Sequence, residues 1–381
     1  MKKFAKRAAA LLLAVVLGLS LTGCYNEGLT WAAKTGDTEL PIGMYIYYLS
    51  VAYNEAAAQI DTDTEVLKGE VEGTPADEWI KDRAKSYIQQ YCWMQDEMER
   101  LGLTMTDDDY TEALQTTQSY WTYFGSSLEE FGIAETSYDM AYSQYNVMYL
   151  KVFQALYGEG GEREISEDEL RTHFEDTYMN YEYFTAPLTT TAEDGSSADM
   201  SDEEKDDVSA ALNALKTRVA DGELTTEEAA TEYAESIDAE STYTQSVNNR
   251  DGMTSSYLPE AFVTSLESMQ EGDIQVFEAS GYMVFLHRLP IADAVEETLG
   301  SEDGRLTLMI ELKNEEYQTY VREAAADGVE GLEWNEEALA RYQPSMFEST
   351  TKNGTSSTPE ASEDTQESDA ESEETDSSTA E

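Results

Sequence analysis

Basic residues are scarce in this sequence: 23 lysines and arginines stand against 79 aspartates and glutamates, which gives a formal net charge of −56 over 381 residues. Such a chain lacks the cationic surface that binds nucleic acid through its phosphates. It is also repelled by an anionic membrane surface. We therefore expect no nucleic-acid partner. If the protein is attached to a membrane, electrostatic attraction cannot be what holds it there.

Cysteine and histidine are almost absent, with two residues of each. Two cysteines cannot form a disulfide framework, and His173 and His287 without a Cys-x-x-Cys pair do not make a zinc-binding pattern. Cys92 lies in a helical pattern of apolar residues, which predicts a buried thiol and not a nucleophile. We expect neither a metal nor a cofactor.

The N-terminus contains an apolar run that is too short for a comfortable membrane span. Residues 1–7 include four basic side chains and no acid, and residues 8–21 are apolar apart from one glycine and one serine. A spanning helix needs about 20 apolar residues, so the segment is typical of a secretory signal. It ends in Leu21-Thr-Gly-Cys24.

This ending resembles the lipobox of bacterial lipoproteins. The resemblance implies that residues 1–23 are a lipoprotein signal peptide and that the Cys24 thiol carries a lipid. Two or more acyl chains would hold the chain on the extracytoplasmic face of the cell membrane. An ordinary secretory signal with an accidental cysteine and an uncleaved helical anchor are the alternatives.

The C-terminal segment, residues 345–381, is rich in Ser, Thr, Glu and Asp and has almost no apolar residue. Such a composition cannot bury enough apolar surface to offset the entropy lost on ordering. We therefore predict a disordered acidic tail. Its sequence indicates no specific partner.

Apolar residues recur at helical spacing through the first folded region, and these stripes indicate helix packing and not a cofactor site. Helices are predicted to begin at Pro41, at Thr74 (with this threonine as the cap), near Thr106, at Ser137 (running to Tyr157) and at Ser166. We expect a helical domain over 24–165 and a connecting helix over 166–178.

Residues 179–292 have a different pattern, in the order β, α, α, α, β, β. A strand is predicted over 181–186, helices over 206–221, 227–236 and 259–269, and strands from Ile274 and over 281–289. Residues 189–204 are interpreted as a polar loop, and the stretch after Ser236 as irregular. The apolar stripe of a helix over 305–327 predicts that residues 298–344 return to the N-terminal helices. The fold class is therefore α+β.

Four segments carry a resemblance to a known family: residues 31–40, 166–178, 258–274 and 281–286. Their order and spacing resemble the extracytoplasmic foldases of the PrsA and SurA type. In these proteins a helical chaperone domain, built from both chain ends as in the N-terminal domain of SurA, contains an inserted parvulin or PpiC-type peptidyl-prolyl isomerase domain. The resemblance implies the same architecture here.

The resemblance also implies a proline-binding cleft. Parvulins carry histidines on the first and last strands, where this chain has Tyr183 and Met283. Asp238 matches the acidic or thiol position of the family, and Leu258 and Phe262 match the apolar positions that hold the proline ring. Prolyl isomerisation breaks no covalent bond and has a barrier of about 18–20 kcal/mol, so loss of the histidines need not abolish turnover. Whether this domain is an enzyme stays open.

The leading hypothesis is a membrane-anchored folding factor for exported proteins that works chiefly as a chaperone. Its partners would be unfolded exported polypeptides, the membrane through the lipid, and a second copy of the chain if it forms a homodimer. An active isomerase, a non-catalytic adaptor of the cell envelope and a solute-binding lipoprotein are the alternatives.

Overall fold

The computed structural model describes residues 30–36, 38–191 and 196–348. The predicted signal peptide, Cys24 and residues 349–381 of the predicted tail lie outside these ranges. In the part of the chain that is described, no helix combines the length and the apolar character needed to cross a membrane.

The helices and strands fall into three groups along the chain. The first group comprises β1 (Trp31–Thr35), β2 (Thr38–Pro41), α1 (Ile42–Gln59), β3 (Glu70–Val71), β4 (Thr74–Pro75), α2 (Ala76–Arg100), α3 (Asp107–Glu130), α4 (Glu135–Tyr138), a π-helix (Asp139–Gln144) and α5 (Tyr145–Tyr157). The second comprises α6 (Glu167–Thr177), β5 (Tyr178–Pro187), β6 (Thr189–Thr191), β7 (Ser197–Asp199), α7 (Asp202–Ala220), α8 (Thr226–Ser236), β8 (Thr244–Asn249), α9 (Arg250–Ser255), α10 (Glu260–Ser268), β9 (Ile274–Ala279) and β10 (Tyr282–Leu289). The last comprises α11 (Ala292–Gly300), α12 (Glu302–Ala326), β11 (Leu332–Trp334) and α13 (Glu336–Leu339).

The chain divides into two compact units. One, the helical unit, contains the described residues up to Val152 and those from Val321 to Glu348, and the other, the α+β unit, contains the described residues of Phe153–Tyr320. Residues 153–165 and 298–320 thus belong with the α+β unit, although the sequence placed them in the helical domain. These two segments are in contact with each other, since the Phe153 ring in α5 lies 5.2 Å from the Tyr317 ring in α12, centroid to centroid.

The two ends of the described chain meet in the helical unit. Strand β11 pairs antiparallel with β1, with Ala33 opposite Trp334, and β1 also pairs with β2. Phe347 is buried, and its ring lies 5.0 Å from that of Phe131. Residues 345–348, which the sequence placed in the tail, therefore include an aromatic residue with a buried contact.

Helix α3 begins as its sequence predicts. Thr106 accepts a hydrogen bond from the backbone of Asp109 at 3.2 Å, and the Asp109 carboxylate accepts one from the backbone of Thr106 at 2.6 Å. This reciprocal pair satisfies two amide groups that a helix start would otherwise leave unpaired.

Helix α2 begins differently from the prediction. Thr74 does not cap it: Thr74 and Pro75 form β4, which pairs with β3, and no side chain caps the helix start. The proline at the N-cap position has extended backbone, which continues the strand directly into the helix.

The helix predicted over 137–157 is interrupted by a π-helical segment at Asp139–Gln144. A π turn widens the helix and frees carbonyl groups from their usual partners. Here the hydroxyl of Tyr48, on α1, donates to the carbonyl oxygen of Ala141 at 2.8 Å, and this bond is buried. The irregularity is therefore stabilised by a distant side chain.

In the α+β unit, four strands form one antiparallel sheet in the order β8-β5-β10-β9. The predicted polar loop over 189–204 contains the small β6–β7 hairpin and the start of α7. The stretch after Ser236, predicted to be irregular, contains the edge strand β8 and helix α9. The whole described chain is α+β and mostly helical, with this sheet in its middle.

Candidate functional site

The sheet of the α+β unit has two covered faces. On the first face, Phe184 and Phe285 pack against residues of α7 and α8. On the second face, Tyr181 and Leu286 pack against residues of α9 and α10. Because successive side chains of a strand alternate between faces, adjacent residues along β5, and along β10, are buried on opposite faces of the sheet.

The second face brings together three of the predicted cleft residues. The Tyr183 ring lies 5.0 Å from that of Phe262 in an edge-to-face arrangement, and Leu258 packs against the same cluster. The Phe262 ring also lies 5.7 Å from that of Tyr181 and is only 2% exposed. Three of the five residues predicted to form the proline-binding cleft therefore pack against one another, and the Phe262 ring is buried among them.

The other two predicted residues lie elsewhere. Met283 is buried in the core of the first face, opposite Ala186 of β5. Asp238 is exposed in the turn after α8, where its backbone has a positive φ of 57°. Tyr183 pairs with Leu286 of β10 and shares its face of the sheet. Met283 is three residues before Leu286, and an odd spacing along a strand puts two side chains on opposite faces. Tyr183 and Met283 therefore lie on opposite faces of the sheet.

A cavity of about 190 Å³ opens at the edge of β5, and we call it the edge pocket. It is lined mainly by apolar residues from β5, α8, the loop after α8 and the start of β10. The lining residues are Phe184, Thr185, Pro187, Ala230, Tyr233, Ala234, Ile237, Ala239, Glu240, Thr242 and Tyr282. Asp238 stands in the sequence between two of them, so the turn that carries this predicted site residue also borders the edge pocket.

A partly buried polar network occupies the first face near the start of α8, and the sequence did not predict it. Glu182 and His287 are directly opposite on β5 and β10, with Oε1 and Nδ1 2.9 Å apart. The Tyr243 hydroxyl donates to Glu182 Oε2 at 2.7 Å, and the Thr226 hydroxyl lies 3.1 Å from His287 Nδ1.

The ionisation of these groups follows from their contacts. Burial raises the pKa of the Glu182 carboxyl, but hydrogen bonds with His287, Thr226 and Tyr243 outweigh that effect and hold this pKa below its usual value. Burial and the hydrogen bond to Glu182 both raise the pKa of the Tyr243 phenol. The network therefore favours an ionised Glu182 beside a neutral tyrosine.

The sequence did contain a signal for this network. Glu182 and His287 each interrupt a run of apolar and aromatic residues in a strand, and an inward-facing polar residue must find a partner. What the sequence did not reveal was the strand register that places them opposite each other. Sequence comparison shows only that His287 lies four residues after Met283, the position where parvulins carry a histidine, which is too far along the strand for His287 to replace that histidine.

The described residues offer no obvious place for a metal ion. Among them, no group of three or more histidine, cysteine and acidic side chains is arranged to hold one. The other histidine, His173, lies with Nε2 3.1 Å from Glu311 Oε2.

The helical unit offers a second candidate surface on α3. Only Ala113, Thr117 and Gly125 are buried in this 24-residue helix, and all three are small. Tyr110, Leu114 and Tyr123 are 42–79% exposed, and we call these three residues the α3 surface. Tyr110 and Leu114 are one turn apart and share a face of the helix, whereas Tyr123, nine residues after Leu114, lies on the opposite side. The α3 surface therefore offers separate apolar contacts around the helix.

Solved structures of PrsA foldases match this chain at low sequence identity. The PrsA foldase of Lactococcus lactis matches with 14% identity over 86% of this chain and 99% of its own, at a TM-score of 0.31. The proteins of Streptococcus pneumoniae (12%, covering 72% and 98%, TM-score 0.35) and Bacillus subtilis (8%, covering 66% and 92%, TM-score 0.25) also match. No protein-family model and no curated protein sequence matches it. These solved structures are PrsA foldases, the family whose segments this sequence resembles.

Proposed function

We propose that this chain is a lipid-anchored extracytoplasmic folding factor that binds unfolded exported polypeptides and acts chiefly as a chaperone. The observation that carries the proposal is the pairing of β11 with β1, which unites both chain ends in one helical unit. The α+β unit then lies between them in sequence. This is the arrangement expected of PrsA-type and SurA-type foldases, with a parvulin-like domain inserted in a helical chaperone domain.

The α3 surface supports the binding of unfolded chains. A folded partner would need a complementary shape, whereas an unfolded chain adapts its own side chains to scattered apolar contacts. Tyr120 and Trp121 of this helix pack against Tyr138, whereas the three residues of the α3 surface remain exposed and available for contacts. A large net negative charge keeps such a protein soluble despite this exposure.

The burial of Phe262 on the second face supports a role in binding over catalysis. A prolyl isomerase must hold a proline ring and stabilise a twisted amide. Here Phe262 is 2% exposed and in contact with Tyr183, which stands at the position of a family histidine. A client proline could enter only if these rings moved apart, which would cost packing energy.

A solute-binding lipoprotein is less well supported. That class is expected to have alternating strands and helices in two lobes, which produce parallel strand pairs. Among the described residues, every strand pair is antiparallel. The sheet therefore favours the folding factor over this alternative.

An aggregation assay tests the proposal. A chemically unfolded client is diluted into buffer with or without the purified full chain, and light scattering is recorded. We expect the chain to suppress scattering in proportion to its concentration. The double variant Leu114→Ser/Tyr123→Ser should protect less, because it removes apolar area from the α3 surface.

The control keeps the same helix and changes polar positions. Gln115→Ser/Gln118→Ser alters two exposed side chains of α3 and should protect as the unmodified chain does. If the unmodified chain leaves scattering unchanged, the proposed function is wrong. If both double variants protect equally, the α3 surface is not the binding surface.

A further inference from the structure

We propose that the edge pocket binds one bulky apolar side chain of an extended polypeptide whose neighbouring residues are basic, and that this polypeptide pairs with the backbone of Thr185. The proposal rests on the proposed function, because it names the kind of client segment that the α+β unit recognises. Four observations carry it: the size of the pocket, the state of the strand edge, the direction of the side chains and the surrounding charge.

The edge pocket has the size and lining to hold an apolar side chain. A dry cavity of about 150 Å³ is enough to hold benzene in another protein, and the edge pocket measures about 190 Å³. Its inner wall is formed by Phe184 and Tyr233. Ile237 and Tyr282, at its rim, are 44% and 47% exposed, so the apolar lining continues to solvent.

The pocket lies beside an incomplete strand edge. The β8 ladder along β5 stops at the pair Tyr183–Thr244, although β5 continues to Pro187. Beyond that pair the chain stays beside β5, because Thr242 is opposite Thr185 in the same register. Thr242 bonds there through its side chain: its hydroxyl accepts from the Thr185 amide at 2.9 Å and donates to the Thr185 carbonyl at 3.1 Å. Thr242 is itself exposed.

A peptide backbone that displaces Thr242 can make the same two bonds as this hydroxyl. Extended peptides commonly bind by adding a strand to a sheet edge, where backbone bonds give affinity and pockets select side chains. Pro187 has no amide hydrogen, so the added ladder would be short. Recognition must then depend strongly on the one side chain that enters the pocket.

The geometry of a strand places that side chain correctly. A peptide residue opposite Thr185 would direct its side chain to the second face, as Thr185 does. The adjacent peptide residue would direct its side chain to the first face, where Phe184 and Tyr233 line the edge pocket.

The charge around the pocket selects the flanking residues. Glu240 lines the edge pocket, Asp238 stands two residues before it in the loop after α8, and both carboxylates are exposed. Glu235 instead lines a separate cavity. In the described part of the chain, no ion pair within 4 Å includes Asp238 or Glu240. Unpaired acids beside an apolar cavity favour lysine or arginine on either side of the bound residue.

Fluorescence anisotropy with a defined peptide tests this proposal on the purified full chain. The probe is a labelled peptide with one phenylalanine between threonines and a lysine near each end. Replacing its phenylalanine by serine, or both lysines by glutamate, should weaken binding by about tenfold or more, as expected for the loss of a buried aromatic ring or of charge attraction. If both replaced peptides bind with the affinity of the original peptide, the proposal is wrong.

Two variants of the chain locate the site. Ile237→Ser removes apolar area from the rim and should weaken binding by about fivefold. Its matched control, Tyr257→Ser, removes an exposed aromatic residue of the same unit that does not line the pocket and should change affinity by less than about twofold. Equal effects of the two variants would overturn the pocket assignment.

Thr242→Val tests the strand pairing with a gain of affinity. Valine keeps the shape of threonine but cannot bond to the Thr185 amide and carbonyl, so the segment around residue 242 is held less firmly and the peptide displaces it more readily. Affinity should rise by about threefold, the equivalent of part of one hydrogen bond. Unchanged or weaker binding would overturn the pairing with Thr185.

The client assay separates this proposal from the proposed function. If the chain binds the peptide in the edge pocket but does not protect an unfolded client, the proposed function fails and the pocket assignment stands. If the chain protects the client and the Ile237→Ser variant binds the peptide with unchanged affinity, the pocket assignment fails and the proposed function stands.

Discussion

At the scale of single residues, the α+β unit contains a carboxylate that is stabilised in its charged form. Glu182 is held by His287 and Tyr243 in a place where burial alone would favour the neutral acid. A carboxylate that accepts several hydrogen bonds is favoured in its ionised form. Its folded-state pKa therefore lies below its unfolded value.

This depressed pKa predicts a pH dependence of stability. The network stabilises the fold at neutral pH, and its contribution is lost as the pH falls through the unfolded pKa of about 4.3 and on through the lower folded pKa. Glu182→Gln should lower the free energy of unfolding at pH 7 by about 1–3 kcal/mol. It should also lose less stability than the unmodified chain on acidification.

Urea unfolding at a series of pH values, followed by near-ultraviolet circular dichroism, measures this effect. Glu235→Gln, which removes an exposed carboxylate of the same unit, is the control and should follow the unmodified chain. Parallel pH profiles for Glu182→Gln and the unmodified chain would contradict the role assigned to the network.

Cys92 provides a second test at this scale. The thiol is buried in α2, and burial, together with the charge of Asp96, raises its pKa to about 12. Only a thiolate reacts readily with electrophiles. In the variant Cys24→Ser, which keeps Cys92 as the one cysteine, maleimide should label the native chain far more slowly than the urea-unfolded chain. Fast labelling of the native chain would contradict the burial of Cys92.

At the scale of elements, the contact between α1 and α4 depends on a glycine. A Cβ placed on Gly43 would lie 2.7 Å from the Cβ of Ser137, closer than folded proteins allow. Gly43→Ala should therefore destabilise the helical unit by about 1–3 kcal/mol, since well-packed contacts do not accept added atoms. Thermal unfolding measures the loss.

The control for this prediction is Gly300→Ala at the end of α11. A Cβ there meets no atom within 4 Å, and alanine has the better helix propensity. We expect its stability to be unchanged or slightly raised. A destabilisation as large as that of Gly43→Ala would mean that the effect does not come from the α1–α4 contact.

The elements also show what the sequence could predict. The starts of α3 and α6 carry a Thr or Ser cap with an acid three residues later, at Thr106 and Ser166, and the structure has both capping boxes. The same signal at Ser201 lay in a stretch interpreted as loop, so the start of α7 was placed too late.

Other elements could not be seen in the sequence because distant partners create them. Strand β8 has the sequence Thr-Gln-Ser-Val-Asn-Asn, which lacks alternating apolar residues, and its backbone pairing with β5 makes it a strand. The π-helix depends on a Tyr48 hydroxyl that is 93 residues away from its acceptor. Tertiary contacts override local propensity in both cases.

The site was predictable to a similar extent. The clustering of Tyr183, Leu258 and Phe262 follows from family spacing, and the structure has it. The separation of Met283 from them depends on strand register. The edge pocket depends on where the β8 ladder stops, which no local pattern marks.

At the scale of the whole molecule, charge and attachment oppose each other. A net charge of −56 repels an anionic membrane surface, so the proposed attachment would depend on the lipid. Cys24→Ser should abolish incorporation of labelled fatty acid in a bacterial host and move the chain from the membrane to the soluble fraction. Cys92→Ser should be labelled as the unmodified chain is. Fatty acid on Cys24→Ser would contradict the proposed anchor.

The central claim is that the chain binds unfolded polypeptides without catalysing prolyl isomerisation. Refolding of a client with a slow, proline-limited phase tests both parts in one experiment, because such phases last tens of seconds or more at 25 °C. We predict a higher refolding yield in the presence of the full chain, with an unchanged rate constant for the slow phase. An unchanged yield would contradict the chaperone, and a faster slow phase that is lost in Phe262→Ala would show that the domain is an active isomerase.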